Sequence, residues 1–597
     1  MFQSFESLTR PEQGPPRLAA LRAEMAREGL DAFLVPRADA HQGEYVAPRD
    51  ERLAWLTGFT GSAGFCAVLA DRAGLFVDGR YTLQAEQQVD TAAFAPVPWP
   101  RTKLADWLSE HLPAGGVVGF DPWLHTVRQI AELREKGEGR GIACRESANL
   151  VDRIWPDQPG PPQGPFRVHP EALAGEAHAD RRARLAAELA HAGHAAAVLT
   201  SPDSIAWLLN IRGSDIRCNP VPHAFALLHE TGAVELFADA AKLTGAVRAH
   251  LGDGIALHPP DAFATRLGEL DGAVRIDPET APVAVERALP RPVHGRDPCL
   301  LPKARKTAAE IAGMEAAHLR DAAAMCRFLA WLEEAAPGGA LTEIDVVTRL
   351  EEERRKAPEL IEISFDTICG AGPHGAVVHY RVTEETNAPV TPGELLLIDS
   401  GGQYTDGTTD ITRTVATGPV TAAQREAFTR VLKGLIAIHR ARWPKGLAGR
   451  DLDALARIAL WQAGRDYDHG TGHGVGAALS VHEGPQRLSR ISEVALEPGM
   501  ILSNEPGYYR AGEWGIRIEN LVHVVPAPAL EGADDREMLA FATLTWVPID
   551  RRLIAPALLA PDEREWLDAY HAGVHERLAP HLEGAAAAWL ARATAPL

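Results

Sequence analysis

The sequence predicts a mixed α/β protein in three blocks, with an α+β third block, and three observations lead there. A helix–strand pattern near the start begins again after a proline-rich break. A second proline-rich passage, 288–306, closes that repeat. The last block opens on long helices and then turns to short apolar strands that begin or end on carboxylates and histidines. A chain of 597 residues is too long for one core, and a prior of ~150 residues per domain suggests about three or four.

Composition narrows the partners. Hydrophobic residues at 46% and charged residues at 23% match a globular protein, and a net charge of −20 argues against a nucleic-acid partner. Residues 1–16 lack a basic stretch followed by an apolar run, so no signal peptide is expected. No apolar run approaches the ~20 residues that span a bilayer, so no membrane role is expected. The cysteines at 66, 144, 218, 299, 326 and 369 form no CxxC pair. They read as buried thiols of a reducing, cytoplasmic setting.

Taken in order, Leu18, Leu21 and Met25 recur at helical spacing, and Gly29 ends that helix. Residues 31–36 then read as a buried strand. Residues 64–81 read as a strand pair turning at 71–74. Six prolines between 156 and 170 forbid regular structure, which marks a linker between a first domain, 1–155, and a second, 171–302. After it the first pattern recurs: Gly193 answers Gly29, and Trp207-Leu208 answers Trp55-Leu56. Thr307 with Glu310 forms a capping-box signature. Ile311, Met314, His318, Ala322, Met325, Leu329 and Leu332 then share one helix face, with His318 read as a core residue. Thr342 with Asp345 caps a further helix, and strands follow to about 550. Residues 551–597 read as a helical extension packed on the 303–550 block.

The chemistry lies between His379 and His523. Asp399 ends the apolar run 394–398, and Asp410 follows eleven residues later. A turn centred on Tyr404–Thr405 would set the two aspartates directly opposite each other, where Cβ atoms are ~4.5–5.5 Å apart. Carboxylates that close need a proton or a cation between them, although ordinary turn aspartates fit this stretch equally well. His469 and His473 lie in a stretch with four glycines, which argues for a closely packed loop rather than a helix. His473 suits a metal, and His469 and His482 suit roles around it. Pro506 forces extended backbone on Glu505. Residues 516–524 alternate as one strand with Arg517 and Glu519 on the same face, where the pair also reads as a surface salt bridge. Asp399, Asp410, His473, Glu505 and Glu519 together suit two divalent ions ~3.5–4 Å apart, with Mn²⁺ first and Co²⁺ or Zn²⁺ as alternatives.

The order Asp399, Asp410, HGTGHGVG, NEPGYY, RIEN resembles the pita-bread metallopeptidases, and within them the long, cytosolic, three-domain Xaa-Pro aminopeptidases (aminopeptidase P). That resemblance is strongest over 306–550 and extends to GFTGSAGFCAVL and NIRGSDIRCNPVPHAF. It implies two creatinase-like α/β domains before a pita-bread catalytic domain, peptides with proline in second place as substrates, and a homodimer. It implies hydrolysis of the Xaa-Pro bond by a hydroxide bridging two metals. Glu505 would also move protons, His379 and His482 would hold the substrate carbonyl and tetrahedral intermediate, and His469 and Arg517 would contact substrate. The family pattern sets Tyr, a small residue and Pro after the first of these histidines; here Tyr380 is followed by Arg381 and Val382. A prolidase-like dipeptidase and a non-catalytic peptide-binding module are the alternatives.

Overall fold

The computed structural model describes residues 1–597. The chain forms two compact units, one of residues 8–303 and one of residues 1–7 with 304–597.

The 8–303 unit contains the repeat. Its first six-stranded sheet runs, edge to edge, Ala95–Pro98, Ala73–Val77, Phe65–Leu69, Ala32–Pro36, Val117–Phe120 and Ala143–Glu146. Its second runs Ile255–His258, Val234–Phe237, Phe225–His229, Ala196–Leu199, Val274–Ile276 and Pro292–His294, which is the same order of connection. In each sheet the first-formed strand pairs antiparallel with the next strand of the meander and parallel with a later one. Gly29 and Gly193 sit at φ 61° and 70°, the left-handed turn that ends each leading helix. The 65–77 strand pair turns at 70–72, so Gly74 lies inside a strand rather than in the turn expected at 71–74. The 156–170 stretch is irregular except at Arg167–Val168, which pairs with Ile211–Arg212.

In the second unit, helix Ala308–Ala335 starts at Thr307, whose hydroxyl and Glu310 form the expected box, and Glu343–Arg354 starts likewise at Thr342 with Asp345. His318 is buried and its Nδ1 donates to the Met314 carbonyl. Strands Ile368–Ala371, Leu395–Ser400 and Ile411–Ala416 form one antiparallel sheet. A six-stranded sheet runs Arg442–Pro444, Met538–Thr543, Asn520–Pro526, Ile501–Asn504, Gly472–Gly474 and Glu483–Leu488. Helices Ala422–His439 and Arg450–Trp461 pack on each other, and Pro561–Leu578 and Gly584–Ala593 pack on Ala308–Ala335.

Three local expectations are corrected. The 399–412 hairpin turns at Thr405–Asp406, one residue later than expected, so Asp399 faces Thr412 and Asp410 lies diagonally. The 516–524 run is two strands, Trp514–Arg517 and Asn520–Pro526, in different sheets, with Ile518 and Glu519 at the break. His473 lies in a short strand, not a loop. The glycines around it are explained by proximity. A Cβ on Gly472 would come within 1.9 Å of the Ser503 carbonyl oxygen, a distance no other residue tolerates.

Candidate metal centre

Asp399 is the fifth residue of a strand whose six side chains are all buried. Both neighbouring strands hydrogen-bond that strand, so its position is overdetermined. Asp410 immediately precedes Ile411–Ala416 on the same face as Thr412. The one-residue shift of the turn therefore converts an opposed pair into a diagonal one, whose Cα atoms are ~7–8 Å apart and whose carboxylates lean together. Asp399, Asp410 and Glu519 each bring an oxygen within 4.8 Å of the other two.

Glu519 reaches them because the break at 518–519 turns its backbone toward the other sheet. Its N–H donates to the Thr412 carbonyl at 3.1 Å, and the Thr412 hydroxyl donates to its Oε2 at 2.8 Å. Glu519 is 1% exposed, so the surface salt pair with Arg517 does not exist. Arg517, equally buried, donates instead to Asp399 Oδ2 at 2.6 Å, to the Tyr509 hydroxyl at 2.8 Å and to Thr412 at 3.1 Å. Arg517 thus touches Glu519 only through Thr412.

Ser503 joins the remaining ligand candidates. It accepts from the His473 N–H at 2.9 Å and donates to Glu505 Oε1 at 3.2 Å. His473 Nδ1 donates to the Gly474 carbonyl at 2.9 Å, which fixes the tautomer. Nε2 is then directed at Asp410 Oδ2, 3.4 Å away, and Glu505 Oε1, 3.6 Å away. The His482 ring stands edge-on to His473 at 4.3 Å between centroids, and its nitrogen shares a 4.8 Å cluster with Asp410 and His473. His469 does not enter these clusters. Its Nδ1 donates to the Gly470 carbonyl at 2.7 Å, so Nε2 accepts from the Tyr509 hydroxyl at 2.9 Å. The buried Asp453–Arg457 pair holds that loop, with Arg457 donating to the His469 carbonyl at 2.6 Å. His379 also lies outside the clusters, in the turn after Gly372–Ala376, a segment that packs on the Asp399 strand and on Trp514–Arg517.

The electrostatics are those of like charges buried together. Burial first, then Asp410 and Glu505, raise the Asp399 carboxyl to about 7 against the opposing pull of Arg517. Burial and then Asp410, Asp399 and Glu505 push Glu519 well above its usual range. Burial opposes the charged His473 imidazole, but Asp410 and Glu505 more than offset it and raise it to about 9. Asp399 Oδ1 and Glu519 Oε1 are buried without any hydrogen-bond partner. Orphaned carboxylate oxygens on two residues of one buried cluster are unfavourable unless cations compensate them. The residues therefore fit two divalent ions. Tyr509 and Thr412 were not singled out from sequence. Tyr509 had a signal, being the last residue of NEPGYY, whereas Thr412 had none beyond its place two residues after Asp410.

Known proteins match this chain along most of its length. Residues 312–526 match the metallopeptidase family M24, 537–597 match the C-terminal region of peptidase M24, and 17–154 and 157–310 each match the creatinase/prolidase N-terminal domain. Aminopeptidase P2 of Arabidopsis thaliana is 42% identical over 95% of this chain and 86% of its own length. A probable Xaa-Pro aminopeptidase P of Aspergillus fumigatus is 40% identical over 97% and 92%. This chain belongs to the Xaa-Pro aminopeptidase family of M24 metallopeptidases. The family's fold extends over the whole chain. The crystal structure of X-prolyl aminopeptidase from Caenorhabditis elegans, a cytosolic enzyme with a di-nuclear active site, superposes with a TM-score of 0.94 at 34% identity, covering 98% of this chain and 99% of that one. Membership makes this chain a metal-dependent hydrolase with creatinase-type N-terminal domains.

Proposed function

We propose that this chain releases the N-terminal residue from peptides with proline in second place. Two divalent cations would be held by Asp399, Asp410, His473, Glu505 and Glu519. The observation that carries this is the pair of orphaned oxygens, Asp399 Oδ1 and Glu519 Oε1, inside a cluster of four carboxylates and an imidazole. Mn²⁺ suits an oxygen-rich donor set with one nitrogen, and Co²⁺ or Zn²⁺ suits it less well. When bound, such ions supply Lewis-acid activation of water and of the scissile carbonyl.

The chain's own groups do the rest. Glu505, with a side chain 19% exposed, is the carboxylate open enough to take a proton at Oε2 and return it to the leaving proline nitrogen. His482 and His379 donate to the substrate carbonyl oxygen as charge gathers on it. His469, fixed by Tyr509, faces the proline side. Arg517 holds Asp399 in place and keeps the Asp399 charge compensated.

The N-terminal sheets would form separate domains, the first at 1–155 apart from its first seven residues, which cluster with 304–597, and the second at 171–302, joined by the 156–170 linker, ahead of catalytic residues 303–550 and an extension to 597. A cytoplasmic setting agrees with six free thiols, and no helix is long and apolar enough to cross a membrane. We further propose a homodimer. On helix Arg450–Trp461, Leu455, Ile458 and Trp461 are 39%, 51% and 43% exposed, and Ile491 is 79% exposed, an exposed apolar set with the Arg490 guanidinium over the Trp461 ring. Mn²⁺-loaded protein should release the first residue from an Xaa-Pro-Xaa tripeptide faster than it cleaves an Xaa-Pro dipeptide. A preference for the dipeptide would make it a prolidase, and no release with metal bound would remove the hydrolytic reading.

A further inference from the structure

His379 sits at the head of a segment, 377–388, that contains no helix or strand. Such a segment keeps a side chain in one place only if it is tied on both flanks. One tie is internal. The fully buried Glu343 carboxylate accepts from the Ala371 N–H at 2.8 Å, the Tyr380 hydroxyl at 3.0 Å and the Ala388 N–H at 3.1 Å.

The other tie comes from the opposite end of the sequence. Residues 1–7 cluster with 304–597. The Phe2 and Gln3 N–H groups donate to the two oxygens of buried Glu351 at 2.7 and 3.2 Å. The Gln3 side chain, 4% exposed, donates to the Thr367 carbonyl at 3.3 Å and accepts from its N–H at 2.8 Å. Arg381 then bridges this segment to the His379 loop. Its Nη2 donates to the Ser4 carbonyl at 2.8 Å, its Nη1 to the Glu6 carbonyl at 3.3 Å and its Nε to Asp366 at 3.0 Å. The Glu384 N–H donates to the Phe5 carbonyl at 2.9 Å.

A chain end is poorly ordered unless tied down. The segment is thus anchored at one end on Glu351 and Thr367 and fastened at the other, through Arg381 and Glu384, to the His379 loop. We propose that residues 1–7 act as a strap, with Arg381 as the residue that fastens it, and that the strap positions His379 for the reaction. This explains why an arginine occupies a place where the family pattern has a small residue. A planar guanidinium can satisfy two carbonyls and a carboxylate at once, which no small side chain can. Arg381 and Gln3 are positioning residues, acting through His379. The inference rests on the substrate role proposed above for His379.

The test uses full-length, metal-loaded protein with R381A and with residues 2–7 deleted. Metal content, amide hydrogen exchange and tripeptide kinetics are read on each. Exchange should rise in 377–388 but not in 395–416, metal per chain should stay at the wild-type level, and kcat should fall roughly tenfold or more, since small misplacements of a reacting group are that costly. Added MFQSFES peptide should restore turnover to the deletion variant. Unchanged exchange in 377–388, or unchanged kcat/KM in R381A, overturns the proposal, and R381A decides alone if the deletion variant does not fold. H379N is measured in parallel. If it is fully active while the strap variants loosen the loop, the strap stands and the role assigned to His379 falls.

Discussion

Removing metal should invert the pH dependence of stability. Without cations, Asp399 titrates near 7 rather than 3.8, because burial and then Asp410 and Glu505 outweigh Arg517. A carboxyl whose pKa is higher folded than unfolded binds more protons in the folded state between those two values. The stability it adds is therefore lost as pH rises from about 4 to about 7. His473 rises from 6.5 to about 9, its burial being outweighed by Asp410 and Glu505, so its contribution is full below 6.5 and lost as pH passes 9. Between pH 5.5 and 8 each group loses about 2 kcal/mol, and because they share the Asp410 and Glu505 charges the joint loss is on the order of 2–4 kcal/mol. For a unit of this size that is roughly 5 °C in Tm. Metal-loaded protein should behave oppositely, because cations bind the deprotonated ligands. The assay is thermal unfolding by circular dichroism across that range, with chelated and Mn²⁺-loaded samples side by side. Glu519→Gln, which fixes the uncharged state that burial and three carboxylates favour, should leave the chelated Tm at pH 8 no lower than wild type while abolishing metal uptake. A chelated protein that gains stability with pH, or a Glu519→Gln variant that binds metal normally, would refute the reasoning.

Two further outcomes are expected. Arg517→Lys keeps the charge but cannot reach Asp399, Tyr509 and Thr412 together, so metal affinity measured by calorimetry should fall roughly 10–100-fold with the fold intact. Ile458→Glu should convert a dimer to a monomer in light scattering with little change in Tm, since Ile458 is 51% exposed within the chain.

How much of this was legible follows from what each feature depends on. The repeated sheets are written in local pattern: a helix ended by Gly29 or Gly193, then a buried strand, then Trp-Leu on a short helix. Periodicity and turn chemistry report such features directly. The caps at Thr307 and Thr342 are equally local. Asp399 and Asp410 stood out because carboxylates at the ends of apolar strands contradict core chemistry. What failed was register. Placing the turn one residue early made Asp399 oppose Asp410, and reading 516–524 as one strand put Glu519 on a solvent face. Both errors have one source. Alternation carries no information about where a strand leaves one sheet for another, and that exchange at 518–519 is what sends Glu519 inward. The partner of Arg517 was hidden for the same reason, since Asp399 is its neighbour only after the sheets are stacked.

The centre also depends on groups far from it in sequence. Arg413, fully buried, donates to the Glu519 carbonyl at 2.6 Å and the Thr412 carbonyl at 2.9 Å, and on its other side to the Pro548 and Val547 carbonyls and the Tyr570 hydroxyl. Tyr570 lies on helix Pro561–Leu578, and its hydroxyl also donates to Val547. No acidic side chain accepts a hydrogen bond from Arg413, so neutral dipoles make all its hydrogen bonds, while the nearby Glu519 carboxylate favours its charge through space. That arrangement is stable only if the carbonyls cannot move, and the helix carrying Tyr570 helps keep them still. The C-terminal extension therefore braces the backbone of Glu519, much as the N-terminal strap braces the loop of His379. A centre that must hold several like charges within a few ångströms gains its precision from rigid surroundings, and here residues 1–7 and helix Pro561–Leu578 help supply them.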